Sequence, residues 1–180
     1  LVKTDDIIID SKSGVSGAGR KVGLPYHFAE CNESVKAYSV ASHRHTPEIE
    51  QEVSRLAGEP VEVLFTPHLI PMTRGILSTV YLSPKGGLTT EEAIGIYCDF
   101  YRGEPFVRVR DDGDLPSTGE SKASNFCDIG LKMDPRTSRL IVVSAIDNLG
   151  KGASWQAVQN MNLLCGFEET EGLKAAPLFP

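Results

Sequence analysis

The segment from Leu140 to Ile146 limits what this chain can fold into, because its residues are apolar except for Ser144. A run of this length and composition is typical of a central β-strand that is covered on both faces. The segment 134–138, which contains Asp, Pro and Ser, predicts a tight turn that joins this strand to an earlier one at 125–133. The chain is therefore expected to contain a sheet built around this hairpin.

Further strands and helices follow from the spacing of apolar residues. Strands are predicted at five more places, namely 7–9, 37–41, 61–70, 75–83 and 106–110. Helices are predicted at about 47–57, after Thr89, and at about 152–165. Because strands and helices do not alternate regularly, we expect an α+β fold with a mixed, mostly antiparallel sheet and helices on one face.

The predicted helices carry signals at their ends and along one side. In the first helix, Thr46 is predicted as the N-cap, Pro47 as the first helical residue and Gly58 as the stop. The second helix opens on Thr89 and Glu92, the pattern of a capping box. The first and third helices are each expected to bury one apolar face, made of Ile49, Val53, Leu56 and Ala57 in the first and of Ala153, Ala157, Met161, Leu164 and Cys165 in the third.

Charge and composition exclude several classes of protein. The 180 residues carry a formal net charge of −6, which argues against a general affinity for nucleic acid or for an anionic membrane. No apolar run approaches the roughly 20 residues of a membrane-spanning helix, and no signal peptide is visible. The four cysteines show no C-x-x-C spacing, as expected of a reduced, intracellular chain. The chain begins with Leu1 rather than methionine, directly before a predicted strand, which suggests the interior of a longer protein.

The stretch from Ser13 to Arg20 contains three glycines, Gly14, Gly17 and Gly19. Turned backbone N–H groups in such a loop can hold an anion, and Arg20 can add charge. A flexible surface loop with a tight turn has the same composition. The residues alone leave both interpretations open.

His43, Arg44 and His45 stand just before a predicted helix. A helix N-terminus favours a bound anion and lowers the pKa of a nearby imidazole, which is then neutral at pH 7 and able to act as a base. Three interpretations remain open: acid–base or anion-binding work, a structural pair of histidines, or a metal site in which His68 or His27 is a third ligand.

Two further segments hold groups that are suited to chemistry. In the segment 147–154, Lys151 lies at a predicted helix start, where its charge opposes the helix dipole. In the segment 67–75, Arg74 is able to hold a carboxylate through two hydrogen bonds. An ordinary strand-to-helix loop and a solvated turn would explain the same residues without any function.

Taken together and in this order, the motifs resemble those of the N-acetyl-γ-glutamyl-phosphate reductases, NADPH-dependent enzymes of arginine biosynthesis. The stretch H-R-H-T-P-E-I-E-Q, from His43 to Gln51, is the most specific of them. The others are S-G-V-S-G-A-G-R from Ser13, P-H-L-I-P-M-T-R-G from Pro67, D-N-L-G-K-G-A-S from Asp147 and the ending Pro177 to Pro180. Trp155 departs from the family pattern, which usually has a small residue at that position.

The resemblance implies a fold like the C-terminal domain of glyceraldehyde-3-phosphate and semialdehyde dehydrogenases. It also implies that a Rossmann domain, followed by a catalytic cysteine in an N-P-G-C-Y type motif, precedes this chain, which contains neither. Residues 1–146 would form the substrate-binding and dimerisation domain. Residues 147–180 would form a loop and a C-terminal helix that pack on the NADP-binding domain. The chain alone is expected to be inactive.

The resemblance further implies roles for single residues. In the family mechanism a cysteine thiolate forms a thioester, which hydride from NADPH then reduces. His43 would be the base and His45 a substrate-contacting or orienting partner. The other substrate contacts would be Ser13, Arg20, Arg44 and Arg74, and the contacts to NADP would be Ser16, Gly17, Ala18, Gly19 and Asn148. No metal is implied. A homodimer or homotetramer is expected, in the cytoplasm or in a plastid stroma.

Two other functions stay open. An aspartate-semialdehyde dehydrogenase would perform the same chemistry on another substrate, although in that family the histidine base lies in a different motif. A non-catalytic binding or oligomerisation module would never meet a cofactor domain. The gene sequence upstream of the codon for Leu1 would distinguish an enzyme from a non-catalytic module. A Gly-rich βαβ unit and a cysteine motif encoded there would indicate an enzyme.

Overall fold

The computed structural model describes residues 1–20 and 22–178. Seven strands form one sheet: β1 (Ile7–Gly14), β2 (Lys36–Ala37), β3 (Val63–Ile70), β4 (Ile76–Leu82), β5 (Val107–Val109), β6 (Cys127–Asp134) and β7 (Arg139–Ile146). Their order across the sheet is β2-β3-β1-β4-β7-β6-β5. The β1–β3 and β5–β6 pairs are parallel and the other four pairs are antiparallel. The predicted mixed, mostly antiparallel sheet is confirmed.

The described residues form five α-helices: α1 (Phe28–Cys31), α2 (Thr46–Ala57), α3 (Thr90–Phe100), α4 (Thr118–Ser121) and α5 (Trp155–Cys165). One turn of π-helix, Gly150–Ser154, leads into α5. None of the helices within the described ranges is both long enough and apolar enough to cross a bilayer.

The hydrophobic core lies between one face of the sheet and the long helices α2 and α3. Ile9, Val80, Val142 and Leu131 form one row of this core across four neighbouring strands. Ala93 of α3 is 1% exposed against the strands, and Ile49 and Val53 of α2 pack on the same cluster. The long helices therefore cover one side of the sheet, called here the helix-bearing face, as the fold prediction requires.

The opposite side of the sheet is only partly covered. Over β6 and β7 the segment 114–121 packs closely, since a Cβ on Gly130 would lie 2.8 Å from the carbonyl oxygen of Asp114. Ala145, on the same side, is fully buried. Over β1, β3 and β4 nothing comparable among the described residues lies on the sheet, and Leu64 is 57% exposed.

The part of this side that stays accessible is called here the uncovered face. It consists of Ile8, Asp10, Lys12, Leu64, Thr66, His68, Thr79, Tyr81, Ile141 and Val143. The prediction that the strand 140–146 is covered on both sides therefore holds at Ala145, whereas Ile141 and Val143 stay half-buried. An apolar strand with one accessible side indicates a surface that a partner covers.

Strand β1 differs from the prediction in length and in place. It extends beyond 7–9 to Gly14, because residues 7–14 pair with β3 on one side and residues 8–13 with β4 on the other. The segments 61–70 and 75–83, joined by the short turn 71–74, are thus not neighbours in the sheet. Backbone hydrogen bonds from Gly14 N to Gly75 O (2.9 Å) and from Val15 N to Met72 O (2.9 Å) hold that turn over the end of β1.

Two of the four predicted helix signals are confirmed. Gly58 ends α2 in the left-handed conformation, with φ 74°. In α3, Thr89 Oγ1 accepts from the backbone N–H of Glu92 at 3.2 Å, and the Thr89 N–H donates to Glu92 Oε2 at 2.8 Å. Thr46 is wrong as the N-cap of α2, because it is already helical and His45 precedes the helix without a side-chain cap. Pro47 is therefore the second residue of the helix and not the first.

The predicted apolar faces of α2 and α5 need correction. In α2, Leu56 is 69% exposed, because only Ile49 and Val53 reach the sheet. In α5 the pattern is inverted, since the buried residues are the polar Gln159 and Asn162. The residues predicted to be buried there are exposed: Ala153, Ala157, Met161, Leu164 and Cys165.

Hydrogen bonds explain why α5 can bury amides. Gln159 Oε1 accepts from Asn125 Nδ2 at 2.9 Å and from Lys151 Nζ at 2.8 Å. Asn162 Nδ2 donates to the carbonyl oxygens of Glu169 and Glu171. A buried amide that is paired in this way avoids the 1–3 kcal/mol or so that an unpaired one costs. The helix is therefore held to its own domain by polar contacts, and its apolar side chains point away.

Candidate active site

The Gly-rich loop follows β1 as a short 3-10 turn, Val15–Ala18. Gly14 touches the turn after β3, since a Cβ there would lie 2.9 Å from the carbonyl oxygen of Thr73. Gly17 is exposed, and a Cβ on it would lie 3.3 Å from Ser13 Oγ. Gly19 has φ 69° and is exposed. The loop therefore presents bare backbone beside the Ser13 hydroxyl.

Asn148 joins three of the predicted segments. Its Nδ2 donates to Ser16 Oγ in the Gly-rich loop at 2.8 Å. Its Oδ1 accepts from the backbone N–H of Gly75, in the turn before β4, at 2.7 Å. Ser13, for which the resemblance implies a substrate contact, thus lies in one small cluster with Ser16, Gly17 and Asn148, for which it implies contacts to NADP.

Asp147, which sequence reasoning left without a role, is a buried anchor beside that cluster. Its carboxylate accepts hydrogen bonds from the backbone N–H groups of Ala123 (2.7 Å), Leu149 (2.9 Å) and Gly150 (2.9 Å) and from Arg74 Nη2 (3.0 Å). Burial alone would raise the pKa of Asp147, but the backbone N–H groups and the Arg74 guanidinium outweigh it and lower that pKa. An acidic residue directly after a buried apolar strand was the signal available in the sequence.

Arg74 is thereby largely committed to structure. Both its Nε and its Nη2 lie within 3.2 Å of the Asp147 carboxylate. Its Nη1 makes no hydrogen bond to any residue that the structure describes. The prediction that Arg74 contacts substrate stays a prediction, and this one nitrogen would have to make the contact.

His43 lies over β3, at the edge of the sheet. Its ring centroid is 5.2 Å from Phe65, 5.6 Å from Tyr38 and 5.0 Å from His45, edge-on in each pair. The loop that carries it is tightly wound, with Ser39 (φ 47°) and Ala41 (φ 55°) in the left-handed region. Tyr38, a neighbour that belongs to none of the predicted motifs, therefore helps to fix the ring of His43.

The surroundings of His43 favour its neutral form. Burial, together with the nearby His45 and Arg44, lowers the pKa of His43 below its ordinary value of 6.5. Its Nδ1 accepts from the backbone N–H of His45 at 3.3 Å. A neutral imidazole that accepts at Nδ1 carries its proton on Nε2. Arg44 and His45 themselves are exposed, beside this ring.

The histidine pair and the Ser13 cluster form two groups on the same side of the sheet. Phe65 packs on the core, and Ser13 shares the face of Ile7 and Ile9 by strand alternation. The register places Ser13 opposite Leu69, four residues beyond Phe65 on β3. At the rise of an extended strand this is a separation of roughly 13 Å. The site residues thus line a stretch of surface on the helix-bearing face.

A cleft of about 480 Å³ opens beside the Gly-rich loop. The residues that line it include Ser16, Gly19, Arg20, Tyr26, Phe28 and Thr73. Arg20 is exposed at this cleft, away from the histidine pair. The cleft combines a cation, exposed backbone and two aromatic rings.

The open metal interpretation finds no support in the geometry. His68 lies on the uncovered face, because strand alternation directs it opposite to Phe65, on which His43 packs. Within residues 1–20 and 22–178, no three His, Cys, Asp or Glu side chains are grouped so that they could hold a metal ion. Phe179 and Pro180 of the C-terminal motif lie outside the described residues.

The departure at Trp155 has a local explanation. The Trp155 ring packs against Gly150, where an added Cβ would lie 2.4 Å from the ring carbon Cε3. The bulky side chain therefore fills the space above the π-helical turn.

A family model described as the semialdehyde dehydrogenase dimerisation domain matches residues 1–148. The chain belongs to this family. This semialdehyde dehydrogenase dimerisation domain is 60% identical to N-acetyl-γ-glutamyl-phosphate reductase from Symbiobacterium thermophilum, over 100% of this chain and 52% of that protein. It is 61% identical to the protein of the same name from Pelotomaculum thermopropionicum, again over 100% of this chain and 52% of that protein. The resemblance predicted from the motifs is confirmed, and the chain spans about half the length of these curated relatives.

Solved structures show the same fold for this semialdehyde dehydrogenase dimerisation domain. Aspartate semialdehyde dehydrogenase II from Vibrio cholerae matches with TM-score 0.69 and 16% identity, over 92% of this chain and 56% of that chain. A probable aspartate-semialdehyde dehydrogenase from Pseudomonas aeruginosa matches with TM-score 0.70 and 16% identity, over the same shares. The predicted fold class is confirmed, and at this identity the likeness concerns the fold alone.

Proposed function

We propose that this chain is the substrate-binding and dimerisation half of an NADPH-dependent N-acetyl-γ-glutamyl-phosphate reductase. The enzyme would convert the acyl phosphate into N-acetylglutamate 5-semialdehyde and release phosphate. The observation that carries the proposal is the identity of 60% over the whole chain to a curated reductase, since it includes every site segment. Because the chain spans about half of that relative, the nucleophilic cysteine and most of the NADP site would lie in an N-terminal half.

The Gly-rich loop fits a role beside NADP. Gly17 is exposed, and a side chain there would enter the space between Ser13 Oγ and Asn148 Nδ2. A flat ring or a phosphate can approach backbone closely only where no Cβ intervenes. Ser16, Gly17, Ala18, Gly19 and Asn148 would hold the cofactor, which supplies hydride when bound. Asn148 would act mainly by positioning the loop, since its amide is already bonded to Ser16 and Gly75.

His43 is the proposed base. The lowered pKa of His43 keeps its imidazole neutral at pH 7, which is the form that accepts a proton. The basic nitrogen is Nδ1, so the hydrogen bond that it accepts from the His45 N–H at 3.3 Å would have to open before it takes a proton. In the proposed reaction a cysteine thiol outside this chain loses its proton to His43, its sulfur bonds to the acyl carbon, and the bond from that carbon to the phosphate oxygen breaks. Reduction of the thioester breaks the carbon–sulfur bond, and the proton returns to sulfur. His45, exposed beside the His43 ring, would orient the substrate.

The anionic ends of the substrate need cations. Arg20 and Arg44 are exposed, whereas Arg74 is held by Asp147. We therefore assign the phosphate and carboxylate of the substrate first to Arg20 and Arg44, and to Arg74 only through its Nη1. Ser13 would donate a hydrogen bond from the middle of this stretch of surface.

Two apolar surfaces support the proposed architecture of the whole enzyme. The outward side of α5, with Leu164 88% exposed, is proposed to pack on the NADP-binding domain. The uncovered face is proposed to pack on the same face of a second copy, because the matching family is described as a dimerisation domain. A homodimer, or a homotetramer built from two such dimers, follows. The cytoplasm, or a plastid stroma, remains the predicted location.

The test is the reverse reaction on the full-length protein, followed as reduction of NADP⁺ in the presence of phosphate. N-acetylglutamate semialdehyde should be oxidised, aspartate semialdehyde should not, and the 180 residues alone should be inactive. His43→Ala should lower kcat by about 10²–10⁴-fold, the contribution of a general base. Preference for aspartate semialdehyde would replace the proposed substrate, and inactivity with both would favour a non-catalytic module.

A further inference from the structure

A charged cluster lies within the uncovered face, remote from the candidate active site. Asp10 and Lys12 project from β1 and His68 from β3, with Lys12 and His68 directly opposite in the strand register. Lys12 Nζ is 3.0 Å and His68 Nδ1 is 3.1 Å from the same oxygen, Oδ1 of Asp10. Thr79 and Val143 continue the row of Asp10 across the next two strands. The cluster therefore belongs to the surface that is proposed to meet a second copy.

The cluster is incompletely satisfied in a single copy of the chain. Asp10 Oδ1 and His68 Nδ1 are buried, yet neither has a hydrogen bond of acceptable geometry within the described residues. Buried polar atoms without hydrogen bonds are uncommon in folded proteins and cost free energy, so each one calls for an explanation. The cluster has no catalytic residue beside it and lies in the uncovered face, which is proposed to pack on a second copy. This suggests that the cluster affects the association of the two copies.

Among the described residues, no other charge faces His68 from the strands beside it. On β1 its charged neighbours are Asp10 and Lys12. On β2 it lies opposite Ala37, and the adjacent Lys36 directs its Nζ to the carbonyl oxygen of Pro25, at 3.4 Å. The charges of Asp10 and Lys12 cancel. The net charge of the cluster is therefore set by the protonation of His68 alone.

We infer that the cluster of Asp10, Lys12 and His68 makes self-association through the uncovered face depend on pH, with the dimer favoured when His68 is neutral. This inference rests on the proposed dimer. Protonation leaves the cluster of each copy with a net charge of +1, two cations against the one carboxylate of Asp10, at a surface that association buries. A two-fold interface places the same patch of both copies together, so the two charges repel each other.

The expected size of the effect follows from simple electrostatics. Sheets that stack face to face lie about 10 Å apart. Two unit charges at that separation, at the effective dielectric constant of a protein surface, repel enough to weaken association about tenfold.

The test is the dissociation constant of the full-length protein, measured by sedimentation at about pH 8 and about pH 5.5, values that bracket histidine titration. Where association is too tight for equilibrium measurement, subunit exchange between two fluorescently labelled preparations gives the rate of the same step. The wild-type constant should rise about tenfold on acidification, and the constant of His68→Gln should change little. His27→Gln, the same substitution at an exposed histidine outside the sheet, should behave as the wild type.

A further variant separates this inference from the proposed dimer. Val143→Asp places a carboxylate in the row of Asp10 and should dissociate the dimer at every pH, with an unchanged circular dichroism spectrum showing that it folds. If Val143→Asp remains a dimer, the uncovered face is not the interface and both proposals fail. If Val143→Asp dissociates but the wild type and His68→Gln respond equally to pH, only the role of the cluster is overturned.

Discussion

Asn148 and Ser16, 132 positions apart in the chain, are joined by a hydrogen bond of 2.8 Å between their side chains. The same amide accepts from the backbone N–H of Gly75 at 2.7 Å. The Gly-rich loop, the turn before β4 and the loop after β7 are therefore tied together by one side chain. The shape of the candidate site depends on this contact, because the loops belong to distant parts of the sequence.

Removing the amide should loosen all three loops. Asn148→Ala leaves the buried N–H of Gly75 without an acceptor, and we expect the free energy of unfolding to fall by about 1–3 kcal/mol. Ser16→Ala removes only the contact to the Gly-rich loop and should cost less, about 0.5–1.5 kcal/mol. Urea denaturation of both variants measures the difference. Equal losses would mean that the contact to Gly75 contributes nothing.

Asp147 should be among the most sensitive positions for stability. Asp147→Asn removes the charge that pairs with Arg74 in a site where the carboxylate is fully buried. We expect a loss of about 3 kcal/mol, because a partly buried guanidinium is left without its counter-charge. Asp112→Asn is the matched control, since its pair with Lys132 is exposed and worth at most about 1 kcal/mol. Similar losses in the two variants would contradict the assignment of Asp147 as an anchor.

Asp147 should also make the free energy of unfolding depend on pH in the acid range. The folded state lowers the pKa of Asp147 below its ordinary value of 3.8, so the stabilisation is fully present above that value and is lost as the pH falls through the lowered pKa. The free energy of unfolding of the wild type should therefore fall more steeply than that of Asp147→Asn between about pH 5 and pH 2. Urea titrations across that interval measure both slopes, and parallel slopes would exclude the effect.

Two glycines should respond oppositely to the same substitution. Gly150→Ala places a Cβ 2.4 Å from the Trp155 ring, which must move, and we expect a loss of about 1–3 kcal/mol. Gly95 is exposed within α3, and a Cβ added there would meet no described atom within 4 Å, so Gly95→Ala should gain about 0.5–1 kcal/mol. Thermal denaturation of both variants tests the prediction, and the signs should differ.

His43 should titrate at lower pH than an exposed histidine. Burial lowers the pKa of His43, and the charges of His45 and Arg44 lower it further. Arg44→Gln should therefore raise that pKa and move the acid limb of the pH–rate profile to higher pH. Arg55→Gln, which removes an exposed cation at the other end of α2, is the control. Imidazole NMR signals followed against pH give the pKa directly, and an unchanged value in Arg44→Gln would refute the electrostatic argument.

Local signals in the sequence predicted local structure well. Thr89 and Glu92 form the expected capping box, and the turn 134–138 joins β6 to β7 as expected, with the Asp134 carboxylate accepting from the backbone N–H of Arg136 at 2.9 Å. Thr46 failed as a cap because His45 already has αR dihedrals, so that the helix begins at Thr46, one residue earlier than predicted. Cap and turn chemistry depends on neighbours in the chain, which the sequence displays.

Contacts between segments that are distant in the sequence were harder to predict. The resemblance implied separate roles for Ser13, Ser16, Gly17 and Asn148. Their connection through Asn148, and the anchor at Asp147, arise only when β1 and β7 lie on either side of β4. The prediction of which side of α5 is buried was wrong. The spacing of apolar residues shows that a helix has an apolar side, but it does not show whether that side packs on its own domain or on another one. Leu164 points away from this domain, and Gln159 points into it.

The position of β1 has a consequence for how the domain folds. β1 lies between β3 and β4, and its partners on β4 are 63 to 73 positions away in the chain, from Ser13–Ile76 to Ile8–Tyr81. Without β1, the remaining described strands separate into a β2–β3 pair and a β4-β7-β6-β5 group with no strand pairing between them. Closing so long a loop is entropically slow compared with forming the β6–β7 hairpin. The hairpin is therefore expected to form early and the insertion of β1 to be the late step that completes the sheet, with the Gly-rich loop ordered only at that moment.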